Sequence, residues 1–455
     1  MKRFWQIIII STVLFFVPWL ILFKLGINSL PIQSQDTVPA LFTPISILEH
    51  GNLYLDEYYN MMIKEYPNTA DMDQSLGLTP YYLRKVDTHY VSAFPLIISL
   101  LALPVYILPV LLHVSFTWNT LAILGHLSGS LILAFAGGFF YLLLKDIFKL
   151  DSKKSLMLTG IYLFGTVNFA MISQALWQHG ALQLFSILGL YFLLFYTQQS
   201  FSYKHLFLSG LFFGLAALSR PTAALTIILV GLYIGMLEFK QPQKLLKSYS
   251  AFSIGVLLNV LFFVIYNGIF YKSVENQGYA NQLFKNWVDT FPVSFFGVWI
   301  SPSKGILVYS PVFVFSLVGA WRALKSKSLL NILFTIIIVL HTLVISFWKY
   351  WFGGWSYGYR LSSDVIPYLV LLLIPYINSP LYEITKKIFF TCIVTSVLIE
   401  LTGLVYFDGI WHAAYDRGYT NIGWLWSIKD SEFVFYARRI LVKLHLLRKA
   451  CPTCL

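Results

Sequence analysis

Apolar residues in this chain come in long blocks rather than in the alternation of a half-buried strand or the single stripe of a surface helix. The opening stretch, "MKRFWQIIIISTVLFFVPWLILF", is basic at its start and then apolar throughout. Ten more apolar runs follow near 122–144, 156–175, 181–197, 205–218, 222–238, 250–270, 306–322, 329–347, 361–377 and 388–407. Runs of about 17–25 residues match the thickness of a bilayer crossed by a helix. Helices are the only single segments that satisfy every backbone group in hydrocarbon. The pattern predicts an all-α polytopic membrane protein. The first run has no small-residue cleavage site before the polar stretch, so it reads as a retained span.

One further run, 91–112, is apolar but interrupted by Pro95, Pro104 and Pro109. Charge decides how to treat it. Basic clusters occur at Lys2-Arg3, at Lys145, Lys149, Lys153 and Lys154, at Lys240, Lys244 and Lys247, at Arg322, Lys325 and Lys327, and at Lys386-Lys387. All five fall on the cytoplasmic side, as the positive-inside rule requires, only if 91–112 does not cross. It is therefore expected to be a juxtamembrane or re-entrant helix. That gives about 11 spans within residues 1–407, with the N-terminus cytoplasmic and the C-terminus extracytoplasmic. A long first extracytoplasmic loop, about 26–121, then carries juxtamembrane helices. It holds eight of the chain's 20 acids. A short extracytoplasmic tail, 408–455, ends the chain.

Composition agrees. The 455 residues are 58% hydrophobic and only 11% charged, with mean hydropathy +0.70. Soluble domains carry roughly 25% charge. The net charge of +12 does not indicate nucleic acid, because the basic residues sit in short loops where they set topology and meet anionic lipid. Three cysteines exclude a disulfide scaffold. Cys451 and Cys454 lack the second pair that a structural zinc site needs, and "CPTCL" misses the prenylation spacing. No metal site is expected. The Asp71/Asp73 pair in "ADMDQS" reads as a surface loop. There is no Gly-rich nucleotide loop.

Candidate chemistry gathers on the outer face. Asp36, just past the first span, is either a helix N-cap, a role Asp favours, or a general base facing a membrane cavity. Asp56-Glu57 in "GNLYLDEYYN" is either a solvated pair or a contact for an acceptor or a cation. Gln178-His179 in "QALWQHG" are polar groups near hydrocarbon, costly there unless satisfied. Arg220 in "LSRPTA" must snorkel or pair with an anion, and a phosphate suits the guanidinium fork. Lys304 in "SPSKG" and Arg360 in "WKYWFGGWSYGYR" follow the same logic. The tail "SEFVFYARRILVKLHLLRK" is basic and amphipathic and reads as an interfacial helix.

Taken together, these segments resemble the GT-C superfamily of polyprenyl-phosphate-dependent glycosyltransferases, in particular the protein O-mannosyltransferases and lipid A aminoarabinose transferases. The order is similar: one span, a long outer loop with an acid near its start, surface helices, then a bundle. "YVSAFPLIISLLALPVY" looks like the second surface helix. "YLFGTVNFAMISQALWQHG", "GLAALSRPTAAL", "SPSKGILVYSPV" and "WFGGWSYGYR" look like a bacterial branch. Asp36 leads into a helix ending at Gly51-Asn52, with the spacing those relatives show between their acid and a Gly-Asp. Thr37 stands where they have a second acid, and Phe94-Pro95 where they often have Lys-Pro-Pro.

The resemblance implies an inverting transferase in a bacterial plasma membrane that moves a sugar from a polyprenyl-phosphate donor to a glycan, lipid or protein acceptor. Asp36 would be the base. Gln178, His179, Arg220, Lys304, Arg360, Asp56 and Glu57 would hold substrate or phosphate. No organic cofactor is implied, and a divalent cation is left open. The alternatives are a transporter or flippase for a lipid-linked glycan, and a glycan polymerase or ligase.

Overall fold

A computed structural model describes residues 1–27, 32–67, 79–198, 202–273, 287 and 290–447. Eight of its helices are long and apolar enough to cross a membrane: Lys2–Lys24, Trp118–Ile147, Gln178–Gln198, Pro221–Glu238, Pro242–Phe270, Leu329–Ser346, Arg360–Ile377 and Pro380–Tyr406. The pair Ser152–Phe164 and Val167–Gln174, bent by 52°, makes a ninth if counted as one broken span. The chain is thus an all-α polytopic membrane protein.

Two of the eleven expected spans fall short. Run 205–218 forms a helix of 17 residues, Tyr203–Ser219. Run 306–322 is broken: Ile306–Tyr309 ends at Ser310, Pro311 opens a 3₁₀ turn, and the helix proper is Val314–Ser326. Proline lacks the N–H that would carry the first helix through.

The helices alternate in direction. Phe4 packs edge-on to Phe139, while Trp19 stacks on His126, so the first helix runs antiparallel to Trp118–Leu142. At the end that bears the basic clusters, Tyr196 Oη donates to Glu238 Oε1 at 2.7 Å, and Lys154 Nζ donates to Asn378 Oδ1 at 2.9 Å. The segments carrying Asp36, Gln178, Arg220 and Arg360 lie at the opposite end.

That end is roofed by the first loop. Ser34 opens a 3₁₀ turn, Gln35–Thr37, which runs into the helix Val38–His50 with Pro39 in its first turn. Gly51 ends this helix in the left-handed region, φ 66°, where a side chain would be strained. The helix Asp56–Glu65 follows. Then comes an element the sequence pattern did not indicate, an antiparallel hairpin pairing Leu83–Val86 with His89–Ser92. Run 91–112 is strand, turn, and the helix Ile97–Leu111. At 15 residues it is shorter than the roughly 20 a crossing needs.

The tail expected to lie on the bilayer surface packs against the bundle. In Glu432–Lys443 one face docks on the Pro380–Tyr406 helix. Glu432 and Tyr436 are fully buried there, while Leu441, Leu444, Leu446 and Leu447 stay exposed.

The helix that ends at Arg220 is held by close backbone approach. Gly210 faces the Phe252 carbonyl and Gly255 faces the Phe207 carbonyl. Small residues let two membrane helices meet this closely. Gly255→Leu is expected to force the pair apart, with a loss of about 1–3 kcal/mol typical of overpacking. Thermal melting of detergent-solubilised protein measures it, and an unchanged midpoint would show that the backbones are not in contact.

Candidate active site

Asp36 sits in the 3₁₀ turn, and its role there is not capping. The cap is Ser34, whose Oγ accepts the Asp36 N–H at 3.3 Å. The helix that follows has no side-chain cap. The Asp36 carboxylate is instead used on both oxygens. Tyr81 Oη donates to Oδ1 at 2.7 Å, and Arg360 Nη1 donates to Oδ2 at 2.8 Å. Asp36 keeps 28% of its side chain exposed, against 11% for Arg360.

Arg360 is aimed by the glycine-rich turn before it. Gly353 (φ 89°) and Gly354 (φ 58°) take left-handed backbone, and the Gly353 carbonyl accepts Arg360 Nη2 at 2.8 Å. The guanidinium lies over the Trp177 ring at 4.3 Å, a cation–π contact. Trp177 is itself held, donating through Nε1 to Gln33 Oε1 at 3.1 Å. The buried Nε of Arg360 has no partner.

Asp36, Gln178, His179, Arg220 and Arg360 line one cleft, with Trp177 as a wall. Its cavity volume is about 30 Å³, room for about two waters. Five candidates from four separate stretches of sequence are therefore brought together.

Behind them is an acid that the sequence reading passed over, Asp364. Its Oδ1 accepts His179 Nδ1 at 2.7 Å. Its Oδ2 accepts Thr222 Oγ1 at 3.0 Å and lies 3.4 Å from Arg220 Nε and 3.8 Å from His341 Nε2. Asp364 is 4% exposed and His179 2%. Arg220 Nη1 in turn abuts the His179 ring. An acid inside an apolar run marks a functional site by default, so Asp364 was findable. Tyr81 and Trp177 carry no such signal.

Three candidates lie elsewhere. Lys304 is sealed in a separate cluster. Its Nζ donates to Glu432 Oε2 at 3.0 Å and to the Ser356 carbonyl, and lies 3.2 Å from His412 Nε2. Burial holds the Lys304 ammonium and the His412 imidazole below their ordinary values and pushes the Glu432 carboxyl up, because each charged form loses its water. Glu432 also accepts the Gly358 N–H at 2.9 Å. This cluster thus fixes the turn that carries Arg360, without reaching the cleft.

Asp56 fastens the hairpin, accepting the Tyr90 N–H and His89 Nδ1, each at 2.7 Å. Glu57 is exposed and pairs with His50 at 3.2 Å. Among the described residues no group of three or more His, Cys, Asp or Glu could hold a metal ion, and Asp71 and Asp73 lie outside them.

Compared with known proteins, the chain matches no family model and no curated protein. The chemistry of the site rests on its geometry.

Removing one partner of a buried ion pair strands the other charge, at a cost of about 3–5 kcal/mol. Glu432→Ala is expected to lower the melting temperature of the purified protein markedly. Lys386→Ala, which breaks an exposed pair with Glu383, should leave it unchanged. Equal effects in the two variants would show that the Lys304 cluster is open to water.

Proposed function

We propose that the chain is a membrane glycosyltransferase of the GT-C type, with up to 11 spans, that moves a sugar from a polyprenyl-phosphate donor to an acceptor hydroxyl. The observation that carries this reading is the shared cleft: one partly exposed carboxylate, Asp36, lines it together with two guanidinium groups, Arg220 and Arg360. A base beside two phosphate-binding forks is what displacement of a lipid phosphate by a hydroxyl requires. The five basic clusters lie at the far end of the helices, which by the positive-inside rule supports an extracytoplasmic cleft. The resemblance in motif order supports a bacterial plasma membrane.

In the resting arrangement Arg360 neutralises Asp36. The cavity is too small for a sugar, so substrate must open it. A phosphate entering the cleft competes for Arg360 and its unpartnered Nε. It draws the guanidinium away and frees Oδ2. The acceptor O–H then gives its proton to Asp36. The oxygen attacks the anomeric carbon, the bond from that carbon to the phosphate oxygen breaks, and the electron pair leaves with the phosphate. Inversion follows from attack opposite the leaving group. Products are the glycoside, polyprenyl phosphate and a proton, which Asp36 returns to water.

A transporter or flippase reading draws on a different observation. Glu400 is fully buried in the Pro380–Tyr406 helix, and neither carboxyl oxygen has a partner. Buried acids within spans commonly mark ion or proton paths.

Reconstituted protein with radiolabelled polyprenyl-phosphate sugars and outer-face acceptors separates the two. Asp36→Asn keeps the cap, which is Ser34, but leaves Arg360 without its carboxylate, so its melting temperature is measured alongside. The folded variant is expected to lose transfer by about 100-fold or more, the low end for removal of a general base. Full activity in that variant would sink the base. Lipid movement without glycoside formation in the wild type, lost in Glu400→Gln, would favour transport.

A further inference from the structure

Asp364 does not touch Asp36, yet it meets groups from three other segments. His179 comes from the start of Gln178–Gln198. Arg220 and Thr222 come from the junction after Tyr203–Ser219, and His341 from Leu329–Ser346. Asp364 itself lies in the same 3₁₀ segment, Arg360–Val365, that begins with the other cleft arginine.

We infer that Asp364 is the positioning residue of the anion-binding wall. By accepting His179 Nδ1–H it fixes the tautomer and orientation of the ring, and by pairing with Arg220 Nε it holds that guanidinium against the ring in the wall of the cleft. This inference rests on the proposed polyprenyl-phosphate chemistry and adds to it how the phosphate fork is aimed.

Asp364 uses both oxygens. Nδ1–H of His179 goes to Oδ1 at 2.7 Å, and Arg220 Nη1 packs against the same ring, 2.8 Å from Nδ1 and in contact with Nε2. Oδ2 takes Thr222 Oγ1–H at 3.0 Å and faces Arg220 Nε–H at 3.4 Å. His341 directs its Nε2–H to the Leu361 carbonyl at 3.2 Å and adds a second proton-bearing group at 3.8 Å from Oδ2. An amide cannot reproduce this pattern. If its carbonyl faces His179, its NH₂ meets the Arg220 and Thr222 donors. If its NH₂ faces His179, the ring must adopt the other tautomer. In either orientation the charge that balances Arg220 is lost. The same reasoning explains why an Asp behind a His holds the tautomer in hydrolytic triads.

Asp364→Asn strands the buried Arg220 charge and risks misfolding, so the experiment uses three variants in nanodiscs with polyprenyl phosphate as the probe. Thr222→Val removes one bond to Oδ2 and no charge. Its Kd for polyprenyl phosphate is expected to rise by about 3-fold with the melting temperature little changed. Where Asp364→Asn folds, its Kd should rise by about 10-fold or more, the range for partners that orient a binding group.

In the Arg220→Gln background, adding Asp364→Asn leaves no stranded charge. The further rise should stay under about 3-fold, because the group that Asp364 aims is gone. An unchanged Kd in Thr222→Val, or a further rise of about 10-fold in the Arg220→Gln background, overturns the assignment. The wild type distinguishes the two levels. No binding and no transfer in the wild type removes the proposed function itself, whereas wild-type binding that none of the variants alters removes only the role of Asp364.

Discussion

Most of the charged pairs carried into the apolar body of this protein bind distant segments to one another. Taking an unpaired ion out of water costs several kcal/mol even after relaxation, and a helix bundle in hydrocarbon offers no substitute. The pairs that meet this demand tie distant parts of the chain together. Arg360 reaches Asp36, Arg220 reaches Asp364, and Lys304 reaches Glu432. At the other end Lys244 reaches Glu238, and in the tail Arg439 reaches Asp408. Each pair joins segments that the apolar pattern alone would leave free to slide.

The pairs differ in how open they are, and that difference sorts them by role. Lys304 and Glu432 are sealed, at 1% and 0% exposure. They act as a buckle between the tail helix and the glycine-rich turn. Asp36 and Arg360 are partly open to water, at 28% and 11% exposure. They are also the pair whose partners a phosphate and a hydroxyl replace in the proposed transfer. Between these limits stands Asp364, buried but adjoining cleft residues on two elements. The arrangement supplies rigid support behind a front that ligand can exchange, which is what a preorganised site needs.

Several features were legible in the residues. The candidates at Asp36, Gln178, His179, Arg220 and Arg360 were visible because polar groups beside long apolar runs are expensive and so carry a reason to be there. Asp364 was visible by the same rule and was absorbed into the run 361–377. The hairpin was harder to see. Its strands have four residues each and its turn, Asp87-Thr88, lacks the Asn-Gly or Asp-Gly that marks a two-residue connection. Lys304 had the same local signature as the arginines, and no local signature reveals that a Glu more than a hundred residues later occupies it.

By itself the sequence determined the class of the molecule, its apolar segments, and the end of the helices at which the basic clusters gather. These follow from composition and period, which act within one segment at a time. Tertiary structure alone decided that Ser34 rather than Asp36 caps the turn, that Tyr81 and Arg360 hold the Asp36 carboxylate, that Lys304 is buried away from the cleft, and that Asp364 meets three other segments at one point. These depend on which charges meet across the bundle. That is settled by packing and pairwise desolvation over the whole chain, and no stretch of residues carries it alone.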